Sequence, residues 1–306
     1  MKAAAFDYHV PESVDAAVAL LAELGDEAKV LAGGQSLVPV MAMRLGRPEH
    51  IVDVNRIEAL AGATRSNGTL RVGALTRHRA LETDVLIRDS VPLLARAAPH
   101  IGHFQIRNRG TVGGSLAHAD SAAELPAVAV ALDAEIEVRS TRGSRRIRAA
   151  DFFVSIFMTA LEPDELVTAV HLPVWGRGCG FAVAEFARRH GDFALAGAAC
   201  GVQVDGGRIV RAAVGLIGMG SVPVRARLAE QTLTGADAHE VDLASIGRDA
   251  VAALDPPSDT HGSAAYRRHL GAQMTARALG RALAEAQGQE RNPGQSQAQA
   301  EAGGAA

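Results

Sequence analysis

Cysteine is nearly absent from this sequence: Cys179 and Cys200 are the only two in 306 residues, and they lie in unrelated segments. A disulfide framework, a zinc knuckle or an iron–sulfur cluster usually needs four, so both read as small buried residues. Whatever redox chemistry the chain takes part in, it holds no metal cluster of its own. Lysine is almost missing as well, since all but Lys2 and Lys29 of the 31 basic residues are arginine. That bias reflects coding composition, yet it makes Lys29 conspicuous, because it stands just ahead of a glycine pair. No apolar run approaches the length of a membrane-spanning helix, and Asp7 and His9 interrupt the N-terminal MKAAAFDYHV before a signal-peptide core can form. A net charge of −3 gives no reason to expect nucleic acid or an anionic membrane as partner. The expectation is a cytoplasmic protein with no membrane span. Hydrolase readings have nothing to stand on, because neither G-x-S-x-G nor H-E-x-x-H occurs.

What is present is an ordinary globular composition, 48% apolar and 21% charged, in a chain long enough for two domains. PESVDAAVALLAEL reads as an amphipathic helix with Ser13 as N-cap and Val14, Ala17, Val18, Leu21 and Leu24 on one face. AKVLA is a short buried strand running into Gly33-Gly34, and from Ser36 a helical pattern continues to a stop at Gly46 and Pro48. HIVDV and TLRVGAL read as strands, with helical stretches near 76–83 and 86–98 and then a polar loop, HIGHFQIRNRG. EIEVRSTRGSRRIRA predicts a hairpin, DELVTAVHLPV a strand ending at Pro173, and the two strands around Asp205-Gly206-Gly207 a second hairpin. Helices are expected near 222–232, 240–254 and 262–286, and the tail from 287 is low in bulky apolar residues and is expected to be disordered.

Two turns are spelled almost alike, AGGQSL at residues 32–37 and VGGSLAH at 112–118. Glycine tolerates backbone angles that other residues avoid and lets amide groups approach a ligand. Two such loops converging would suit a pyrophosphate, and so a dinucleotide. Neither loop has the spacing of the G-x-G-x-x-G or G-x-x-x-x-G-K-[ST] fingerprints, so plain turn geometry remains the alternative. His100 and His103 read as a solvated pair rather than metal ligands. His118 and Asp120 are either helix caps or ligand contacts. Asp53 is a ribose partner or an ordinary strand end, and Phe193 a shield for a flat cofactor or a core ring.

Taken together, KVLAGGQSLVPVMAMRLGRPEHIVDVN and IGHFQIRNRGTVGGSLAHADSAAELPAVAVALDA resemble the FAD-binding medium subunit of molybdenum hydroxylases, the family of carbon monoxide and xanthine dehydrogenases. RRHGDFALAG and GMGSVPVRA resemble its smaller C-terminal domain. The resemblance implies an α+β fold: a vanillyl-alcohol-oxidase (PCMH-type) FAD-binding domain over 1–175, in subdomains of about 1–57 and 58–175, then a C-terminal α/β flavoprotein domain over 176–286 and the tail 287–306. It implies that Ala32, Gly33, Gly34, Gln35, Ser36 and Leu37 hold the FAD pyrophosphate from one side, and Thr111, Val112, Gly113, Gly114 and Ser115 from the other. Lys29, Val30 and Leu31 lie on the strand leading in, and His118 follows the second loop. Ile101 matches a position on the flavin side. Asp120 and Glu124 match acidic positions contacting the ribityl or adenosine portion, Val167 a position beside the isoalloxazine ring, and Phe193 an aromatic covering it. Glu185 stands where some members carry a lysine. The function implied is electron transfer: a large molybdopterin subunit oxidises substrate, a small subunit with [2Fe–2S] clusters relays electrons, and FAD here passes them to an external acceptor. The assembly implied is a dimer of heterotrimers. No residue of this chain is expected to be catalytic in its own right. The alternative is a stand-alone FAD-dependent oxidoreductase of the same fold.

Overall fold

A computed structural model of the chain describes residues 2–291. Strand β1 (Asp7–His9), helix α1 (Val14–Leu24), β2 (Ala28–Leu31), α2 (Leu37–Ala42) and β3 (His50–Asp53) form the first unit. The Ser13 hydroxyl caps α1 by accepting from the Ala16 amide at 3.1 Å, and Ala17, Val18 and Leu21 make its buried face. β1 and β2 both run parallel to β3, in the order β1-β3-β2. Parallel neighbours need crossovers, and the segments carrying α1 and α2 supply them. α2 stops short of Gly46 because Arg44 takes φ of 60°, a left-handed conformation that ends a helix.

The second unit comprises β4 (Ala63–Ser66), β5 (Thr69–Gly73), α3 (His78–Thr83), α4 (Val85–Ser90), α5 (Pro92–Ala97), α6 (Phe104–Arg109), α7 (Val112–His118), α8 (Glu124–Ala131), β6 (Glu135–Ser140), β7 (Gly143–Arg148), α9 (Ala149–Phe152), β8 (Phe153–Ser155), β9 (Met158–Thr159) and β10 (Leu166–Pro173). Its antiparallel sheet has the order β4-β5-β10-β6-β7, and β8 with β9 forms a separate small hairpin. Two expectations need correction. The helical stretch 86–98 is two helices, divided where Val91 precedes Pro92, since proline disfavours a helical residue before it. The expected loop HIGHFQIRNRG contains α6, which tertiary contacts hold: Arg107 donates from Nη1 to the Ile101 carbonyl at 3.1 Å and the Gly102 carbonyl at 2.9 Å, and from Nε to Glu82 at 2.5 Å.

The third unit is β11 (Cys179–Phe186), β12 (Ala196–Asp205), β13 (Arg208–Ile217), β14 (Val224–Arg225), α10 (Arg227–Leu233), α11 (Leu243–Val251) and α12 (Ala264–Arg291). The sheet is antiparallel throughout, and Gly206 and Gly207, both at positive φ, turn the hairpin between β12 and β13. Successive side chains of a strand point to opposite faces, and on β11 this divides the residues between two cores. Phe181 and Val183 pack with the second unit, whereas Ala182 and Ala184 pack under α12. The sheet is thus a shared wall that fixes the third unit against the second. α12 runs to Arg291, past residue 287 where the tail was expected to begin, and residues 292–306 lie outside the described part. Among the described residues no helix is long and apolar enough to cross a membrane.

Candidate functional site

The first glycine loop leaves β2 and enters α2. Gly33 is buried, and Gly34 sits at φ of 73°, where an L side chain is strained. Among the described residues, no protein group accepts from the backbone N–H of Gly33, Gly34, Gln35 or Ser36. The Gln35 side chain turns back and donates to the Gly33 carbonyl at 3.0 Å. Four successive free amides on a tight turn form a concavity suited to an anion.

The second loop differs in kind. Thr111 caps α7, its hydroxyl accepting from the Gly114 amide at 3.2 Å. The Val112 amide donates to Thr76 at 3.0 Å, Gly113 to Ala74 at 2.8 Å and Ser115 to the Thr111 carbonyl at 3.0 Å. Its amides are therefore committed to the end of β5 and to the cap. What it presents is the half-buried Ser115 and the bare Cα of Gly114.

The two loops meet. A Cβ on Gly33 would lie 2.5 Å from the Arg109 carbonyl oxygen and 2.8 Å from the Gly110 Cα, so only glycine permits this approach. A Cβ on Gly114 would lie 3.8 Å from that of Ala32, which puts Gly114 on the wall facing the first loop. Two residues absent from the sequence reading pin the loops together. Asn55 donates from Nδ2 to the Ala32 carbonyl at 2.7 Å, and Arg77 donates to the Asn55 side-chain oxygen at 2.8 Å and to the Arg109 carbonyl at 2.6 Å. Asp53 belongs to this brace, accepting from the Asn55 amide at 2.9 Å and from the Tyr8 hydroxyl, so its carboxylate supports the fold.

His78 lies beneath, 5% exposed, with Nε2 2.9 Å from the Thr111 carbonyl oxygen. Burial, aided by the nearby Arg107 and Arg77 charges, lowers its pKa from 6.5 to about 4, so the ring is neutral. Glu124, 8% exposed, shows the reverse: burial and then the Glu185 charge raise its pKa from 4.5 to about 8. The unfolded chain binds the His78 proton more readily than the native one, so that contribution is complete above pH 6.5 and is lost as pH falls to 4. The folded chain keeps the Glu124 proton, so that contribution is complete below pH 4.5 and is lost as pH rises through 8. The two slopes oppose each other between pH 4.5 and 6.5, and only the Glu124 slope remains from there to 8. Denaturant midpoints are expected to fall between pH 6.5 and 8.5 in the native chain and to stay level in Glu124→Gln.

The remaining expected residues divide into those near the loops and those apart. Val30, Leu31, Ala32, Gln35, Ser36 and Leu37 are half-buried along the first loop, and Lys29 is exposed on β2. His118 is half-buried at the end of α7 and stacks on Phe157 with ring centroids 4.9 Å apart. Burial lowers its pKa, against the charge of Asp120. Asp120 caps the following turn, accepting from the Ala122 amide at 2.9 Å. Ile101 is half-buried, and Gly102 follows it at φ of 50°. His103 packs on the bend at Gly191, where a Cβ would meet its ring at 2.5 Å, which brings the segment leading to Phe193 beside α6. Phe193 is 62% exposed, so the core reading fails for that ring. Val167 is not brought to the loops' surface: it is 6% exposed and packs within the core of the second unit. His100 pairs with Glu185, its Nδ1 3.2 Å from Oε1, and the His103 ring lies edge-on to His190 with centroids 5.7 Å apart.

Fold and site together define a module of two lobes joined at a pair of glycine loops, one of which offers free amides to an anion, backed by a third, helix-covered sheet. Comparison with known proteins gives its family. Residues 4–175 match the FAD binding domain in molybdopterin dehydrogenase, and residues 181–282 the CO dehydrogenase flavoprotein C-terminal domain. The chain belongs to the FAD-binding medium-subunit family of molybdenum hydroxylases and is an oxidoreductase subunit. It is 46% identical to the 6-hydroxypseudooxynicotine dehydrogenase complex subunit alpha of Paenarthrobacter nicotinovorans over 92% of this chain and 96% of that one. Among solved structures, it matches carbon monoxide dehydrogenase from Hydrogenophaga pseudoflava with a TM-score of 0.90 and 37% identity, covering 93% of this chain and 99% of that chain. Quinoline 2-oxidoreductase from Pseudomonas putida 86 gives 0.88 and 36%, covering 94% and 99%.

Proposed function

We propose that this chain holds FAD with its pyrophosphate between residues 32–37 and 111–115, and works as the electron-transfer subunit of a molybdenum hydroxylase. The observation that carries the reading is the convergence of the two loops with four unpartnered amides on the first. The roles are unequal: residues 33–36 supply N–H donors, while Ser115 supplies a hydroxyl and Gly114 leaves room. Ile101, Asp120, Glu124 and Phe193 serve the ribityl and ring portions, and His118 with Phe157 closes the side after the second loop. Bound FAD supplies the ability to accept electrons singly and release them in pairs. The chain's own residues orient it and exclude water.

The electrons come from [2Fe–2S] clusters of a small subunit, which receives them from a large molybdopterin subunit, and leave to an external acceptor. The two cysteines, both buried, offer no ligand set for a cluster, which supports placing the clusters on a partner. Names among the relatives support it, since the Paenarthrobacter protein is a subunit of a dehydrogenase complex. A dimer of heterotrimers is the expected assembly. Co-expression with the candidate large and small subunits tests the reading. A yellow chain that co-purifies with both supports it, and a yellow chain that turns over substrate alone supports the stand-alone oxidoreductase instead.

A further inference from the structure

Two titratable side chains meet, with a third buried near them, where separate segments of the candidate site come together. His100 immediately precedes Ile101. Glu185 stands on β11, ahead of the bend that leads to Phe193. Glu124 opens α8 just after the Asp120 turn. The His100 Nδ1 lies 3.2 Å from Glu185 Oε1, with the His100 side chain 35% exposed and that of Glu185 10% exposed. The other Glu185 oxygen, Oε2, is buried and has no hydrogen-bond partner among the described residues. Glu124 is buried nearby, close enough for the Glu185 charge to act on it, with Asp120 adding repulsion and Arg107 on α6 opposing it. At pH 7 the Glu124 carboxyl is neutral, its pKa raised to about 8. The unpaired buried Oε2 of Glu185 is a place where a further proton can be received.

We propose that His100, Glu185 and Glu124 form a proton-holding trio that takes a proton from solvent, through the half-exposed His100 imidazole, when flavin bound beside it is reduced. The inference rests on the proposed FAD site. Negative charge arriving next to a carboxylate or an imidazole raises its affinity for a proton. The balance is simple. Two electrons come from the iron–sulfur partner, or from a chemical reductant in a test. One solvent proton forms one new N–H or O–H bond within the trio, and protons taken by the flavin itself are counted separately. His100 gives the path, since its ring reaches solvent on one side and Glu185 on the other. Arg107 is committed to Glu82 and to the Ile101 and Gly102 carbonyls.

The test uses the full chain loaded with FAD, reduced anaerobically with a limiting reductant in weak buffer containing a pH-indicator dye, between pH 7 and 9. The native chain is expected to consume more protons per flavin reduced than Glu185→Gln, by a difference approaching one. Equal counts across the range overturn the proposal. A second measurement needs no flavin: infrared spectra of the flavin-free chain are expected to show the C=O stretch of a protonated carboxyl that fades as pH rises through 8 and is missing from Glu124→Gln. A native chain without that band, or a variant that keeps it, also overturns the proposal. If the folded chain binds no FAD, the proposed function fails and this inference falls with it. If FAD binds normally and the counts coincide, the trio alone is wrong.

Discussion

Gly114→Leu is expected to give a folded chain that no longer retains FAD. A Cβ at this position would meet the Thr111 hydroxyl at 2.7 Å, and that hydroxyl can rotate away at the loss of a helix cap, about 1 kcal/mol. The rest of the leucine then projects toward Ala32, across the gap where the two loops face each other. FAD affinity should drop on the order of a hundredfold or more, about 3 kcal/mol, while thermal unfolding shifts by only a few degrees. Fluorescence titration with FAD, run beside a melting curve, measures both. Unchanged affinity would remove the second loop from the site. Gly33 offers no such clean experiment, because its Cβ would strike backbone at 2.5 Å and disturb the fold itself.

The other large effect is expected at Arg77. Its guanidinium joins the segment before the second loop, through the Arg109 carbonyl, to Asn55, which in turn holds the Ala32 carbonyl. Arg77→Met removes both charge-assisted bonds and strands their acceptors, a loss of about 2–3 kcal/mol. The melting temperature should fall by roughly 5 °C or more. FAD affinity should fall about tenfold as the loops lose their common brace. Arg77→Lys should recover only part of this, because an ammonium group cannot present two fixed donors to two acceptors at once. A methionine variant with native melting and native affinity would show that the brace does not set the loops' spacing.

Local chemistry was legible in the sequence wherever one segment settles its own structure. The Ser13 cap, the strand running into Gly33-Gly34, and the hairpins at Thr141-Arg142 and Gly206-Gly207 all rest on residues close in the chain. Features set by distant partners were not legible. α6 reads as a polar loop because the contacts that hold it involve Glu82 and the carbonyls of the preceding turn. Asn55 and Arg77 carry no local signature, since each acts across the space between segments. The two glycine loops also look more alike as letters than as structures. Thr111 and the carbonyls of Ala74 and Thr76 use up the amides of the second, while nothing among the described residues uses those of Gly33 to Ser36 in the first. The same limit applies to Val167, whose position on a strand says nothing about which core it enters.

The central claim is that the paired loops hold a pyrophosphate, and it is tested most directly by comparing FAD, FMN and riboflavin as ligands of the flavin-free chain. FAD carries the pyrophosphate, FMN a single phosphate and riboflavin none, on the same ring system. FAD is expected to bind at least about a hundredfold more tightly than FMN, and FMN more tightly than riboflavin. Equal affinity for FAD and FMN would contradict it.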